Sequence, residues 1–406
     1  MKTISKAQIE RMIRVENPWL EHPHKIPRYF NDLKPRDYFS LLYPYVIDKK
    51  IKRSIVLLGP RRVGKTVLIH HIIQKMINEK VNPRCICYIS VDHPVYNGMD
   101  MEQLLAAFCT LNALDYRKDE VYAFFDEIQY LKNWEQYLKS ITDRYPNIKC
   151  VVTGSAAAAL RLKSLESGAG RFTDFFLPPL TFYEYLTLLN EDEITAIEPG
   201  KDGQMSFNTT NIDLLNERFI TYINFGGYPE VALSKEIQAN PERFVKSDII
   251  DKVLLRDLPS IYGISDIQEL NTLFLTLAFN TAQEISLDSL SKSSGLAKNT
   301  IKRYIEYLEA AFLIKTVNRV DKTARHFHRA NFFKVYLTNP SLWSALFSPV
   351  DENDEAIRPL VETAVFAQWF HAESNPLYYA RWDKGEVDIV SVDEKRQKAD
   401  WAIEVK

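Results

Sequence analysis

An eight-residue glycine loop constrains this chain more than any other stretch. Residues 59–66 read Gly-Pro-Arg-Arg-Val-Gly-Lys-Thr, which satisfies every fixed position of the phosphate-loop pattern G-x-x-x-x-G-K-[ST]. The apolar run 54–58 before the loop is typical of a buried parallel strand, and residues 67–73 after it predict a helix with a wide apolar face. Because a strand, a glycine loop and a helix form the setting that this motif requires, the sequence predicts an α/β nucleotide-binding domain.

The predicted nucleotide contacts follow from the chemistry of the loop. Its backbone N–H groups and the N-terminus of the next helix would face a phosphate. Lys65 would reach the β- and γ-phosphates, and Thr66 would ligate Mg²⁺, so the predicted cofactors are ATP and Mg²⁺. The predicted binding set is the whole loop and the residue after it: Gly59, Pro60, Arg61, Arg62, Val63, Gly64, Lys65, Thr66 and Val67.

A second motif supplies two acids. Residues 121–127 read Val-Tyr-Ala-Phe-Phe-Asp-Glu, an apolar strand that ends in an acidic pair and fits the Walker B pattern. Asp126 is predicted to hold Mg²⁺ and Glu127 to polarise the attacking water as a general base. Two acids at a strand end are common in proteins, so this prediction depends on the phosphate loop that precedes them.

Two further residues are candidates for contact with the γ-phosphate. Ser155 follows the predicted strand 148–153 and would sense the phosphate, cap the helix predicted at 156–163, or do both. Arg171 lies on a glycine-containing loop and would act as an arginine finger, either in its own subunit or in a neighbouring one. The alternative for Arg171 is an ordinary surface arginine. A finger supplied by a neighbour would make the protein a homo-oligomer.

After residue 180 the pattern becomes helical. Residues 181–265 predict a helical lid, with a polar loop at 191–211 and a sharp positive-φ turn at the glycine pair 226–227. Residues 266–338 predict a winged helix, because two short helices joined by a glycine turn precede a pair of strands around a basic loop.

The charge distribution points to nucleic acid although the net charge of −2 does not. From Thr281 to Lys334 there are ten Lys and Arg against five Asp and Glu, and from Pro349 onward the balance reverses to seven against thirteen. The second helix of the predicted pair would present outward its polar residues, which would contact DNA phosphates: Lys298, Asn299, Lys302 and Arg303. The alternative is a module that packs against a protein partner and leaves a solvated basic surface.

The last segment, 339–406, holds an acidic pattern typical of metal-dependent phosphodiesterases. Asp388 lies on one predicted strand, and Glu404 and Lys406 share a face of the next. The two carboxylates would hold Mg²⁺, and the lysine would orient water or stabilise charge. Glu362 on the preceding helix would be a further acid. The alternative is a strand pair with ordinary charged residues on a solvated face.

Composition excludes several other classes of protein. No apolar run is long enough for a transmembrane helix, and residues 1–6 lack the apolar core of a signal peptide. The four cysteines predict neither a disulfide framework nor a zinc site. We therefore expect a cytoplasmic protein without a membrane partner.

Together these motifs resemble a bacterial and archaeal family of AAA-type ATPases that ends in a domain of unknown function with a restriction-endonuclease-like, PD-(D/E)xK, fold. The resemblance implies ATP binding and hydrolysis, a nuclease-like C-terminal domain, and an α/β fold in four parts. The first part, 1–180, is an AAA+ type P-loop NTPase domain with a parallel sheet and an N-terminal strap. The lid covers 181–265, the winged helix 266–338 and the endonuclease-like domain 339–406. The motifs that carry it lie at 59–66, 125–127, 154–155, 170–171, 226–229, 256–257, 361–362, 385–388 and 404–406.

The sequence departs from the family pattern in two places. Asn339 stands where similar members carry an acidic residue after the wing strand. The sequence ends at Lys406, where the nuclease-like domain of the family continues with further strands and helices, so we expect this domain to be incomplete.

Three functional hypotheses remain at this point. In the first, the protein is an ATPase that acts on DNA through its winged helix. In the second, it is an ATP-dependent switch that binds a protein partner and has no nucleic-acid role. In the third, it is a nucleotide-binding protein with slow turnover and no nucleic-acid role. Stimulation of ATP turnover by DNA would distinguish the first from the second.

Overall fold

The structure is a computed structural model that describes residues 5–23, 25–48, 50–155, 170–199, 205–320, 332–371, 376–382, 385–393 and 398–406. The chain divides into two compact units. The first lies within Met1–Gly59 and Gly64–Leu177, and the second within Pro60–Val63 and Pro178–Lys406.

A parallel sheet forms the centre of the first unit. Its described strands have the order β2-β3-β4-β1-β5, and every pairing between them is parallel. Strands β1 and β3 are buried along their whole length, which explains their uninterrupted apolar sequences. The predicted α/β fold with a parallel sheet is thereby confirmed. The strands are β1 Ser54–Leu58, β2 Ile86–Ser90, β3 Val121–Asp126, β4 Ile148–Gly154 and β5 Phe172–Phe176.

Helices flank this sheet, and their ends follow from local side-chain chemistry. Ser5 and Asp100 each accept a hydrogen bond from the backbone three residues on, within complete capping boxes. The described α-helices of the first unit are Lys6–Glu16, Arg28–Asn31, Tyr38–Ile47, Lys65–Asn78, Met101–Leu111 and Trp134–Arg144. Short 3-10 helices cover Pro18–Leu20, Pro83–Cys85, Pro94–Tyr96 and Ile128–Tyr130.

The N-terminal strap satisfies the backbone of the edge strand β2. The Asn17 amide donates to the carbonyl of Tyr88 at 2.8 Å and accepts from its N–H at 2.7 Å, while the Trp19 indole donates to the carbonyl of Ile86 at 2.9 Å. Asn17 and Trp19 are fully buried. Side chains therefore take the place of a sixth strand at this edge, which removes a site for edge-to-edge pairing.

The second unit is mainly helical at its start. Its described α-helices are Phe182–Leu189, Ile212–Phe225, Pro229–Leu233, Lys235–Gln238, Leu258–Tyr262, Ile267–Phe279, Leu287–Ser294, Lys298–Ala310, Ser341–Leu346 and Ile357–Ala367. Glu242–Asp251 and Val253–Asp257 are π-helical, and Asp192–Ile194 and Gln368–His371 are 3-10 helices. The polar loop predicted at 191–211 was wrong in part, because β6 (Thr195–Pro199) and β7 (Met205–Thr209) pair as an antiparallel ladder.

A second sheet gathers six strands of this unit in the order β13-β12-β11-β9-β10-β8. The parallel pair β9–β11 joins the strands on either side of residue 338, with Arg319 opposite Tyr379 and Val320 opposite Ala380. The strands predicted for the wing and for the C-terminal segment thus share one sheet. Their bounds are β8 Glu284–Ser286, β9 Ile314–Val320, β10 Phe332–Leu337, β11 Leu377–Trp382, β12 Gly385–Asp393 and β13 Lys398–Ile403.

The glycine pair at 226–227 has a different cause from the predicted one. Gly226 has a φ of −84°, and Gly227 is not among the residues with positive φ. A Cβ atom at Gly227 would lie 2.3 Å from the Asn339 Oδ1 atom, and one at Gly226 would lie 2.1 Å from the ring of Tyr222. Close approach of neighbouring side chains, and not a left-handed turn, therefore requires glycine here.

Candidate nucleotide site and acidic cluster

The phosphate loop connects the end of β1 to the helix Lys65–Asn78. Arg62 and Gly64 have positive φ values of 62° and 99°, so the backbone curls into the left-handed region that the glycine tolerates. Lys65 is 5% exposed, and its Nζ atom donates to the carbonyl of Gly59 at 2.9 Å. The lysine ammonium is thus held against the loop, close to the helix N-terminus where a phosphate would bind.

The two arginines of the loop lie with the second unit, which includes Pro60–Val63. The Arg61 guanidinium donates two hydrogen bonds to the Asp257 carboxylate, at 2.8 and 2.9 Å. Arg62 donates to Glu230 and to Asp248, each at 2.5 Å. These pairs balance both arginine charges within the second unit.

Asp126 at the tip of β3 is the centre of a hydrogen-bonded network. Its carboxylate is 2% exposed and accepts from the hydroxyl groups of Thr66 at 2.6 Å and Tyr88 at 2.9 Å. It also accepts from the Thr153 hydroxyl and, at 3.2 Å, from the backbone N–H of Glu127. Burial is the main reason that the pKa of Tyr88 lies well above its ordinary value, and the nearby Asp126 carboxylate raises it further.

The donor set of this network fits a magnesium ion. The hydroxyl of Thr66 and the carboxylate of Asp126 are hard oxygen ligands, and they already lie 2.6 Å apart. Mg²⁺ in nucleotide sites takes few protein ligands and completes its octahedron with water and phosphate oxygens. Thr66 and Asp126 would therefore hold the ion, as the sequence predicts.

Glu127 is held in a strained and defined position. Its φ and ψ of 57° and 45° place it in the left-handed region, which is uncommon for a residue with a side chain. Its carboxylate accepts a hydrogen bond from the Gln129 amide and lies 3.5 Å from the Ser155 hydroxyl. Strain of this kind persists where surrounding structure enforces it, and it is frequent at active sites.

Ser155 lies beside this base. It is 1% exposed, and its hydroxyl accepts from the Gln129 amide at 3.2 Å. The helix that it was predicted to cap, at 156–163, lies outside the described residues. The described contacts therefore connect Ser155 with Gln129 and Glu127.

Arg171 does not reach the phosphate loop of its own subunit, which corrects one of the two predicted arrangements. Arg171 precedes β5, whereas the loop follows the end of β1, and Ser54 at the start of β1 lies opposite Phe172. Five strand residues span about 16 Å, so the arginine lies at the N-terminal end of the strands, whereas the loop lies at their C-terminal end. Its guanidinium donates to the Asp143 carboxylate at 2.7 and 2.9 Å.

The residues predicted to contact DNA lie at the start of the helix Lys298–Ala310. Gly295, with a φ of 73°, ends the preceding helix, and Ile301 and Leu308 are fully buried beneath the pair. The four predicted contacts, Lys298, Asn299, Lys302 and Arg303, are exposed. The Lys298 ammonium pairs with the Asp288 carboxylate. The basic loop at 322–329 falls outside the described residues.

The C-terminal acids are arranged differently from the prediction. Asp388 accepts from the Lys334 ammonium at 3.1 Å and from the backbone N–H of Val405 at 2.9 Å. Glu404 and Lys406 follow the end of β13 and pair with each other at 3.5 Å, with 56% and 76% of their side chains exposed. The described side-chain partner of Asp388 is therefore Lys334, whereas Glu404 and Lys406 pair with each other.

Sequence reasoning missed several of these partners. Tyr88 and Thr153 come from the strands on either side of β3, so their contact with Asp126 depends on the strand order. Lys334 belongs to a strand that the sequence assigns to a different domain from Asp388. The available signal was the single lysine among the apolar residues of Phe332–Leu337.

Comparisons with known proteins support the nucleotide domain. A family model described as an AAA domain matches residues 51–186, and another, described as a domain of unknown function (DUF8612), matches residues 216–353. Two uncharacterized proteins of Methanocaldococcus jannaschii are each 24% identical to this chain, over 362 and 357 residues. These alignments cover 84% and 87% of this chain and 74% of each relative. An uncharacterized protein of Haemophilus influenzae is 24% identical over 285 residues, and this alignment covers 68% of this chain and 65% of that protein.

Solved structures similar to this chain include two archaeal proteins. A Walker-type ATPase of Pyrococcus abyssi aligns with a TM-score of 0.43 and 16% identity, covering 78% of this chain and 99% of that one. Cdc6p of Pyrobaculum aerophilum aligns with a TM-score of 0.29 and 15% identity, covering 82% and 90%. No helix in the described part of the chain combines the length and apolar character that a membrane crossing needs. The segment that matches the AAA domain model, residues 51–186, thus contains both the phosphate loop and the acidic end of β3.

Proposed function

We propose that this protein binds ATP and Mg²⁺ at the phosphate loop and hydrolyses the bond between the β- and γ-phosphates. The observation that carries the proposal is the network in which Thr66, Asp126 and Glu127 are joined by hydrogen bonds beside the phosphate loop. When bound, Mg²⁺ would neutralise phosphate charge and support in-line attack by water.

Each residue of this network has a distinct task in the proposed reaction. Lys65 binds the β- and γ-phosphate oxygens, and Thr66 and Asp126 position the metal. Glu127 accepts a proton from the attacking water, with Gln129 and Ser155 orienting its carboxylate through the contacts described above. Tyr88 and Thr153 are positioning residues that fix the Asp126 carboxylate.

Replacement of Glu127 by Gln tests the base. Loss of a general base lowers turnover by about 10²- to 10⁴-fold. We expect Glu127→Gln to bind ATP with unchanged affinity and to lose turnover to this extent, measured by nucleotide titration and by phosphate release. Glu135→Gln is a control because Glu135 is a buried acid on the helix Trp134–Arg144. Unchanged turnover in Glu127→Gln would mean that the base lies elsewhere.

We also propose that the protein acts on DNA through the helix Lys298–Ala310 as part of a winged helix. The exposure of Lys302 and Arg303 at the start of this helix supports the proposal. Phosphate contacts of this kind weaken with salt, because binding releases counterions. We expect duplex DNA to stimulate ATP turnover at low salt and the double variant Lys302→Ala with Arg303→Ala to lose that stimulation while keeping basal turnover.

The matched control for DNA binding is Lys315→Ala. Lys315 is also exposed, but it lies on β9 and not on the proposed contact helix. If DNA does not change ATP turnover and the double variant behaves as the wild type does, the results would favour the ATP-dependent switch that binds a protein partner.

Arg171 retains one proposed role, as a finger supplied to a neighbouring subunit. This role requires a homo-oligomer and release of the arginine from Asp143. Mixing an excess of Glu127→Gln subunits with Arg171→Ala subunits tests it. Recovered turnover, from sites that combine an intact base with an intact arginine, would support the role, and a purely additive mixture would contradict it.

A further inference from the structure

A buried lysine lies at the common focus of three carboxylates in the second unit. Lys334 on β10 has a side chain that is 2% exposed. Its ammonium nitrogen lies 3.0 Å from a Glu362 oxygen, 2.7 Å from a Glu386 oxygen and 3.1 Å from an Asp388 oxygen. Helix Ile357–Ala367 and strand β12 supply these acids, so three elements of the fold converge on one cation.

Other protein donors occupy the same carboxylates. The Tyr336 hydroxyl donates to the same Glu362 oxygen at 2.6 Å, and the Val405 N–H donates to the second Asp388 oxygen at 2.9 Å. The ring of Tyr379 lies 5.6 Å from the lysine nitrogen, within range of a cation–π contact. The surroundings of the ammonium are thus complementary to a positive charge on every described side.

The lysine is charged in this environment. Burial opposes the charged form, but carboxylate oxygens of three acids within 3.1 Å of the nitrogen favour it. An ammonium with three donors suits three acceptors at these distances, so its hydrogen-bonding capacity is satisfied.

The geometry disagrees with the metal site that the resemblance implies. A divalent cation binds carboxylate oxygens at about 2.0 to 2.6 Å, so an ion at this focus would have to replace the ammonium and not join it. With the Lys334 ammonium in place, the described part of the chain has no group of three or more His, Cys, Asp or Glu side chains arranged to hold a metal ion. Glu404, the second predicted metal ligand, is half exposed and paired with Lys406.

We propose that Lys334 is the resident cation of this acidic cluster, occupying the place that a divalent metal would take in a nuclease. The cluster then joins β10, β12 and the helix Ile357–Ala367 through buried ion pairs. It follows that Asp388 does not support metal-dependent cleavage of phosphodiesters in this chain. The proposal is independent of ATP hydrolysis in the first unit.

Manganese titration followed by electron paramagnetic resonance tests the proposal on the full chain without nucleotide. We expect the wild type and Asp388→Asn to bind the same amount of Mn²⁺, because the cluster takes none. Lys334→Gln keeps a side chain of similar length without the charge, and should gain one Mn²⁺ that the added Asp388→Asn change removes. Lys315→Gln, on the neighbouring strand, should gain none.

Three outcomes would overturn the proposal. One is a wild-type Mn²⁺ site that disappears in Asp388→Asn, and another is a folded Lys334→Gln protein that gains no ion. The third is Mn²⁺- or Mg²⁺-dependent DNA cleavage by the wild type that Asp388→Asn abolishes. If Lys334→Gln fails to fold, the comparison of wild type with Asp388→Asn still decides, since both retain the lysine.

Discussion

The carboxyl group of Glu16 connects the N-terminal strap to the nucleotide edge of the first sheet, and its protonation should affect stability. The Tyr96 hydroxyl donates to one carboxyl oxygen at 2.6 Å, and the Ser90 N–H donates to the other at 3.3 Å. Burial raises the pKa of Glu16 from 4.5 to about 7, and the charges of Asp92 and Asp126 add to this rise. The two hydrogen bonds oppose it but do not cancel it.

The sign and size of the effect follow from this pKa. Between pH 4.5 and about 7 the folded protein keeps the Glu16 proton while the unfolded chain releases it. Folding is therefore favoured by this group at low pH, and the advantage is lost as the pH rises through the folded-state pKa. At about 1.4 kcal/mol for each pKa unit, the loss between pH 4.5 and pH 8 is about 3 kcal/mol.

Replacement of Glu16 by Gln removes the titration and keeps the shape. We expect the free energy of unfolding of Glu16→Gln, relative to the wild type, to rise by about 3 kcal/mol between pH 4.5 and pH 8. Urea unfolding at pH 4.5, 6, 7 and 8, fitted as two transitions if the units unfold separately, measures this. The comparison uses the change in the free energy of unfolding with pH and not its value at one pH, which removes any constant cost of the amide group.

Glu21→Gln is the control, because it changes an exposed carboxyl group in the same N-terminal segment. Its free energy of unfolding should change with pH in the same way as that of the wild type across this range. A constant difference between Glu16→Gln and the wild type over the whole range would show that Glu16 is ionised in the folded protein, and the argument from burial would be refuted.

Three other predictions concern packing and reactivity. Gly227→Ala should destabilise the second unit by about 1–3 kcal/mol in thermal unfolding, because its Cβ atom would collide with Asn339; an unchanged melting temperature would contradict the close approach. Asn17→Ala should cost about 3 kcal/mol in urea unfolding, because it leaves buried backbone groups of β2 without partners; a loss near zero would show that water replaces the amide. A thiol reagent should modify the half-buried Cys85 before the three buried cysteines, as peptide mass spectrometry can show; equal rates would mean that the sheet opens easily.

The nucleotide domain could be predicted from sequence because its signals are local. The phosphate loop, its strand and its helix are continuous in the chain, and a buried parallel strand such as Val121–Asp126 is apolar throughout. These patterns identify the strand and place the acidic residues at its end. The contacts of Asp126 with Tyr88 and Thr153 could not be predicted, because they depend on which strands lie beside β3.

The acidic cluster was harder to predict for the same physical reason. The alternation of Glu386 and Asp388 placed them on one face, and the structure shows both at the Lys334 ammonium. Their partner is a lysine on β10, and no local pattern shows that β9 pairs with β11 and brings the two segments into one sheet. Alternation along 401–406 also could not show that β13 ends at Ile403.

The shared second sheet has a consequence for how this protein can be divided or inherited. A fragment that ends at residue 338 would keep β8, β9 and β10 but lose the strand that pairs with β9. The exposed side of β9 would then offer unpaired backbone groups beside Val317 and Val320, which is the pattern of an aggregating edge. Recombination between related genes at this position would expose the same strand edge, so we expect the two segments to be inherited together.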